Sequence, residues 1–303
     1  MSRRVIVVLV QILPMVAICS DFPSVQAVPL PSLQIAFEID GEEVARYYAA
    51  PDTPKPYLFP VIGPSGKRLT SMAHPVDPYG HRHHRSVWIG HADVNGYDFW
   101  AENNDNRIIF EKLVDFGSAE DAASFTVVHV WRAGDVTNVL LDTRTWTLRK
   151  LERGEYYLDL KLFFEPVDKA VTFGATPYGL LGVRVAPAMT VAVGGGRILN
   201  AQGKVNESEV HWQNTEWVDF SGRVAADTIN GITLFNHPEN PGHPPAFHVR
   251  DEGWMSPCFS KDAPLAVEAG DSLSLRYRLY IHNSQGDPEA LNRHWLRYVD
   301  ESG

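Results

Sequence analysis

The chain has 303 residues, a formal charge of −10, 12 histidines and two cysteines. Such a length suits one large or two small domains, and a domain of that size buries about three quarters of its unfolded surface. The negative balance excludes a nucleic-acid partner, which needs clustered positive charge, and beyond the amino terminus no apolar run approaches a transmembrane length.

Taken in chain order, the first feature is an address. Arg3 and Arg4 precede an apolar run over 5–19, and Val25-Gln26-Ala27 fits the small-x-small rule for signal peptidase. The run is short and is broken by Gln11 and Pro14, so it reads as a secretion signal and not a span. A lipid anchor on Cys19 needs a small residue where Ile18 stands. The expectation is a signal peptide over 1–27, a single domain over 28–303, and a periplasmic or extracellular location. Cys258 is then the only cysteine, so no intramolecular disulfide forms and the core must hold the fold unaided.

Strands dominate the rest of the chain. Over 155–164, Tyr156, Leu158, Leu160, Leu162 and Phe164 alternate with polar residues; over 272–282, Leu273, Leu275, Tyr277, Leu279 and Ile281 do the same. A period of two marks half-buried antiparallel strands. Less regular runs occupy 33–39, 44–49, 107–116, 125–131, 139–148, 181–185, 210–220, 232–235 and 247–250, with Gly, Pro, Asn and Asp between them. One helix is predicted, at the carboxyl end: Asp287 as N-cap, Pro288 at the first position, and Leu291, Trp295 and Val299 recurring every four residues. Many strands without alternating helices, and no repeat or linker, predict an all-β protein, one large antiparallel β-sandwich with a short C-terminal helix.

The segment over 74–102, HPVDPYGHRHHRSVWIGHADVNGYDFWAE, carries the chemistry. It holds His74, His81, His83, His84 and His91 together with Arg85, Asp77, Asp93, Asn95, Asp98, Glu102, Trp88, Phe99 and Trp100. Proton-transferring or metal-binding groups beside flat aromatic faces suit a polar ring-shaped ligand. If 86–91 is a strand, Arg85, Val87, Ile89 and His91 share one face, and His84, Ser86 and Trp88 the other. A transition metal on His81, His83, His84 and His91 is an alternative, although the helical H-E-x-x-H spacing is missing. A second cluster includes His237, His243, His248, Arg250 and Asp251 on a stiff proline-rich loop, a natural second wall for the pocket. Trp212 and Trp217 read as core more readily than as sugar platforms. There is neither a G-x-S-x-G elbow nor a phosphate loop, and Cys258 reads as buried structure.

The stretch HRHHRSVWIGHADVNGYDFW at 81–100 resembles the HPHHRGLWxxHGDVNGxDFW-type motif of the PmoA-like family of secreted bacterial proteins, departing at Arg82, Ser86, Val87 and Ala92. The resemblance continues through PYLFPVIGPSG at 56–66, FGATPYGLLGVRVA at 173–186, WVDFSG at 217–222 and FNHPENPGHP…FHVRD at 235–251. The membrane spans that the family's name suggests are absent, and the family's function is unassigned. The resemblance implies a galactose-mutarotase-like supersandwich, an architecture found in sugar epimerases, lyases and hydrolase accessory domains.

Together these readings predict a secreted carbohydrate-active protein performing acid–base chemistry of epimerase, lyase or hydrolase type on a saccharide or sugar acid, without a cofactor. His84 and His91 are the expected acid–base pair, with His248 as substitute, and Asp93 and Asp251 orient them. Arg85 and Arg250 hold a carboxylate or oxyanion. Trp88 and Trp100 offer ring faces, and Asn95, His237 and His243 complete the binding set. The alternatives are a non-catalytic glycan-binding module and, third, a histidine-ligated metal-dependent oxygenase or hydrolase.

Overall fold

The computed structural model describes residues 22–72 and 81–302; most of the signal peptide expected over 1–27, and His74 and Asp77, lie outside them. The strands, in chain order, are β1 (Val25–Leu30), β2 (Gln34–Ile39), β3 (Glu42–Tyr48), β4 (Tyr57–Val61), β5 (Val87–Ile89) and β6 (Arg107–Ser118). Then come β7 (Ala122–Ala133), β8 (Thr137–Lys150), β9 (Tyr156–Pro166), β10 (Val171–Phe173), β11 (Leu181–Arg184) and β12 (Arg197–Asn200). The last six are β13 (Trp217–Ala225), β14 (Thr228–Asn236), β15 (Ala246–Arg250), β16 (Trp254–Cys258), β17 (Leu265–Val267) and β18 (Leu273–His282). Three α-helices interrupt them: α1 (Val191–Gly194), α2 (Asn206–Val210) and α3 (Pro288–Ser302).

Two eight-stranded antiparallel sheets form the body. The first runs β1-β2-β3-β4-β5-β11-β16-β15 and the second β12-β13-β14-β18-β9-β8-β7-β6, with β10 and β17 as a separate pair. Their inner faces share one apolar core, in which Phe37 and Tyr47 of the first sheet meet Phe125 of the second at 5.1 and 5.2 Å between ring centroids. This is the large β-sandwich that the period-two patterning predicts. The strongest patterns correspond to β9 and β18, which pair along nine residues.

The core also encloses charge. Asp142 accepts from Arg144 and from Trp131 Nε1, and Tyr47 bonds the Nε2 of His129, all of them buried. Burial outweighs the neighbouring carboxylate and holds the His129 pKa down to about 4. Arg144, together with His129, keeps the Asp142 carboxyl ionised against its own desolvation, well below the usual carboxylate range.

The predicted helix forms as α3, capped by the Asp287 carboxylate, which accepts from the Ala290 backbone N–H at 2.8 Å. Leu291 and Tyr298 pack on Trp217, Phe235, Tyr280 and Tyr157, so α3 covers the outer face of the second sheet. The stretch expected as a strand over 210–220 divides instead into the end of α2, a turn and β13. A cut after Ala27 falls inside β1, where the buried Val25 and Ala27 pair with Ile39 and Phe37.

Candidate functional site

The outer face of the first sheet carries the site, and strand register assembles it. Tyr57 lies opposite Trp88, Trp88 opposite Gly182, Arg184 opposite Trp254, and Ser256 opposite His248. Residues opposite one another share a face, while their neighbours Leu58, Val87, Leu181, Val183, Met255 and Val249 turn into the core. Gly182 makes room for the Trp88 indole: a Cβ there would lie 2.3 Å from its Cζ2. Trp88, Trp100 and Trp254 form a buried indole floor, and the Trp88 Nε1 finds no hydrogen-bond partner among the described residues.

Of the two faces open to the histidine segment, the structure takes His84 with Trp88, the rings stacked at 4.8 Å. His81 stacks flat on His84 at 4.6 Å and His83 meets it edge-on at 4.6 Å. Arg184 Nη1 donates to the Nδ1 of His84 at 3.2 Å and of His81 at 3.4 Å. Arg85 does not follow Val87 and Ile89. Ser86 adopts φ of 58°, which breaks the strand alternation. Arg85 instead donates to both oxygens of Glu102 at 2.6 and 2.7 Å and lies over the Tyr57 ring. Its guanidinium is therefore engaged by a carboxylate of the protein itself and does not form the anion clamp expected of it.

Trp100 is held from three sides. The Asp98 carboxylate accepts from its backbone N–H at 2.7 Å, the buried Lys55 ammonium donates to its carbonyl, and Tyr178 stacks on its ring at 5.6 Å. Burial lowers the Lys55 pKa to about 8 although Glu102 lies 3.3 Å away. Tyr178 is 37% exposed, the open ring among these aromatics.

His248 completes the site. Its Nδ1 faces the Pro177 carbonyl at 3.0 Å. A carbonyl only accepts, so Nδ1 carries the proton and Nε2 keeps its lone pair. The ring packs on Trp254 at 4.3 Å, His211 at 4.7 Å and Trp212 at 4.8 Å, and lies nearly parallel to Tyr178. Trp254 also touches His84 at 4.8 Å, so one indole joins the two histidine-bearing segments.

His83, His84 and His248 do not titrate near neutrality, contrary to the expectation for histidine. Desolvation, the largest cause in each case, lowers His83 and His248 to about 4 and His84 further still, with Lys55, Arg184 and neighbouring imidazoles acting the same way. At neutral pH these three therefore present uncharged rings, lone pairs and N–H donors.

Several expected members lie elsewhere. His91 does not pair with His84. Its Nδ1 accepts from the Asp93 N–H at 3.1 Å and its Nε2 faces Ser260 Oγ at 3.0 Å, among Phe173 and Phe259. Both ring nitrogens are thus used structurally. Asp93 accepts from Gly96 N–H and packs on Gly174, where a Cβ would come within 2.0 Å, so it does not orient a catalytic ring. Asn95 and Gly96, at φ of 53° and 85°, make the tight turn that Asn-Gly favours, and Asn95 bonds the backbone of Ala170 and Thr172. His237 meets Tyr298 edge-on and His243 stacks on Trp295, both rings of α3, leaving His248 as the one histidine of its segment to reach the site. Asp251 and Glu207 exchange hydrogen bonds with each other's backbone N–H at the start of α2, and Arg250 pairs with Glu207 and Glu252, so neither serves as orienter or anion clamp for His248.

The expected metal set is divided as well, because His91 is apart from His81, His83 and His84. Among the described residues no group of three or more His, Cys, Asp or Glu side chains could hold a metal ion, and the Nδ1 atoms of His81 and His84 face a guanidinium. Cys258 is buried, its thiol pushed up to about 12 by desolvation. Residue reading missed Lys55, Tyr178, Arg184, His211 and Trp254, and it assigned Trp212 to the core. Tyr178 and Arg184 lie within FGATPYGLLGVRVA, the stretch through which the family resemblance runs.

No curated protein matches the chain. Among solved structures, a heparan sulfate lyase from Pedobacter heparinus is similar at 8% identity and a TM-score of 0.45, over 84% of this chain and 36% of that one. An alpha-galactosidase from Lactobacillus brevis is similar at 8% identity and 0.43, over 80% and 38%. A galactose 1-epimerase from Lactobacillus acidophilus is similar at 8% identity and 0.38, over 83% and 98%. The chain thus spans little more than a third of the first two. The sequence model of one family matches residues 34–296, and the chain belongs to it: DUF6807, a family of unknown function.

Proposed function

We propose that the outer face of the first sheet binds a saccharide and that His248 moves a proton on it. The observation that carries this reading is the His248 Nε2, left without a hydrogen-bond partner among the described residues on a ring uncharged at neutral pH, beside an indole floor and the exposed Tyr178 ring. A pyranose presents apolar C–H faces and a rim of hydroxyls, and such a ligand matches stacked rings bordered by imidazole donors and acceptors. His248 Nε2 takes the proton from a sugar hydroxyl or an acidic sugar carbon. Its Nδ1–H remains on the Pro177 carbonyl, and the electron pair left behind stays on the sugar. The neutral rings of His83 and His84 donate hydrogen bonds without supplying a full charge. This departs from a two-histidine acid–base pair, because His91 is not available to the site.

A non-catalytic glycan-binding module is the second reading. It is favoured by the partner of His248, a carbonyl where a catalytic dyad has a carboxylate. The PmoA-like resemblance of the histidine motif adds no activity to either reading. The protein meets its glycan outside the cytoplasm, exported by its amino-terminal segment; recovery of the chain from the cytoplasm alone overturns that part.

Thermal-shift screening against mono- and oligosaccharides, uronic acids included, tests the site. A ligand at 100 times its Kd stabilises the fold by about 2.7 kcal/mol and raises the melting point. Product detection on each binder then separates enzyme from module. A panel without a single shift overturns the saccharide reading.

A further inference from the structure

Beside His248 stands a wall that the proton transfer does not use. The chain over 211–215 runs along the edge strand β15: Trp212 N–H donates to the Phe247 carbonyl at 2.9 Å, and Thr215 N–H to that of Pro245 at 3.2 Å. His211 Nδ1 donates to the Val249 carbonyl at 2.9 Å, which leaves its Nε2 as an acceptor. Trp212 itself sits at φ of 61°, a left-handed conformation that a bulky residue rarely takes. Such outliers persist where the surroundings fix them, and they concentrate at ligand-binding positions. Here the conformation turns the indole against His248 and leaves it half-exposed. Lys261 holds its ammonium 5.2 Å from the centre of the same ring, with the exposed Asp262 as its partner.

His248 thus stands between two indoles, Trp254 on the floor and Trp212 on the wall, that do not touch one another. We propose that Trp212, with His211 and Lys261 at its margin, is a second sugar subsite, so that the site takes a saccharide of at least two units lying across His248. This inference rests on the saccharide reading above. A second sugar at Trp212 finds the half-exposed indole, the His211 Nε2 acceptor and, over the ring, the Lys261 donor, the mixed chemistry that a second pyranose requires.

The test is calorimetric titration with glucose, galactose and glucuronic acid and with their di- to tetrasaccharides, on the wild type, Trp212→Gly and Lys261→Ala. Glycine is at home at this backbone angle, so Trp212→Gly removes the indole without straining the chain; a melting curve and circular dichroism verify the fold, and Lys261→Ala gives an independent variant. The expected result is that the wild type prefers an oligosaccharide to its monosaccharide by about tenfold or more, about 1.4 kcal/mol at that ratio. Trp212→Gly erases that preference, and Lys261→Ala reduces it. Equal affinity for both lengths in the wild type, or a Trp212→Gly variant that keeps the preference or loses both ligands alike, overturns the second subsite and leaves the saccharide reading standing. Absence of binding at every length overturns that reading, and this inference with it.

Discussion

The two outer faces of the sandwich are built from the same kinds of residue and have opposite fates. On the second sheet, Tyr157, Tyr280, Arg278 and His294 lie beneath or along α3 and pair with other protein groups, although Arg278 Nη1 and Trp217 Nε1 find no hydrogen-bond partner among the described residues. Tyr157 bonds His294, Tyr280 donates to Glu155 at 2.6 Å, and Arg278 lies between the rings of Tyr157 and Tyr298 while paired with Asp159 and Glu301. On the first sheet no helix among the described residues lies over the rings, and Tyr178 keeps an exposed face. Aromatic and imidazole content therefore does not distinguish a site from a seam. What distinguishes them is whether the chain supplies its own cover, as α3 does for the second sheet.

Substitutions on each face sharpen that contrast, and the largest effect is expected at His248. His248→Gln keeps a polar side chain but removes the base, and should lower turnover by about 10²–10⁴-fold with an unchanged melting curve. If product forms at the wild-type rate, the proton passes through another group. The mirror experiment is Leu291→Ala under α3. It should cost about 2–5 kcal/mol in urea denaturation, as buried leucine truncations do, while saccharide affinity stays as it was. Loss of affinity there would mean that the two faces are coupled.

Acid should act on the fold before it acts on the site's charge state. His91 and His129 have folded values near 4, below the ordinary 6.5 of an exposed histidine. Between about 6.5 and 4 the unfolded chain binds more protons than the folded one, so stability is complete above 6.5 and declines as pH falls through that window. Asp142, whose folded value is depressed, adds a further loss only once pH falls below the ordinary 3.8 of its unfolded form. A urea midpoint that is flat from about pH 7 to pH 4.5 would contradict this, and saccharide binding by the folded fraction should persist to about pH 4. The smallest effect is expected from Gly182→Ala. Overpacking against Trp88 costs about 1–3 kcal/mol, and affinity should fall with the displaced indole.

Most of the first sheet's site was hidden from sequence for a geometric reason. β9 and β18 were legible because each alternates strictly along its length, and α3 because its cap and its four-residue spacing coincide. Register, in contrast, joins residues far apart in the chain: Trp88 to Gly182, Arg184 to Trp254, Ser256 to His248. No local pattern announces those meetings. The histidine motif supplies His81, His83, His84, Trp88 and Trp100 to the candidate site, yet half of it is architecture. Its Asn-Gly turn, Asp93 and His91 fasten the loop to β10 and Ser260, and Phe99 packs on Trp131 in the core. Ser86 hid the true placement of Arg85, since nothing in its type demands a left-handed backbone.

The indole floor also gives the molecule its own optical reporter. Trp88 and Trp254 lie with ring centroids 5.2 and 5.9 Å from that of Trp100. At such separations excitation of one ring passes to the others, so the three emit as a unit governed by their shared surroundings. A ligand that displaces water from Tyr178 and His248 changes those surroundings without any dye or label. Emission recorded during titration would follow occupancy directly, and Trp131, Trp146 and Trp217, buried in the body of the sandwich, would contribute a background that occupancy leaves constant.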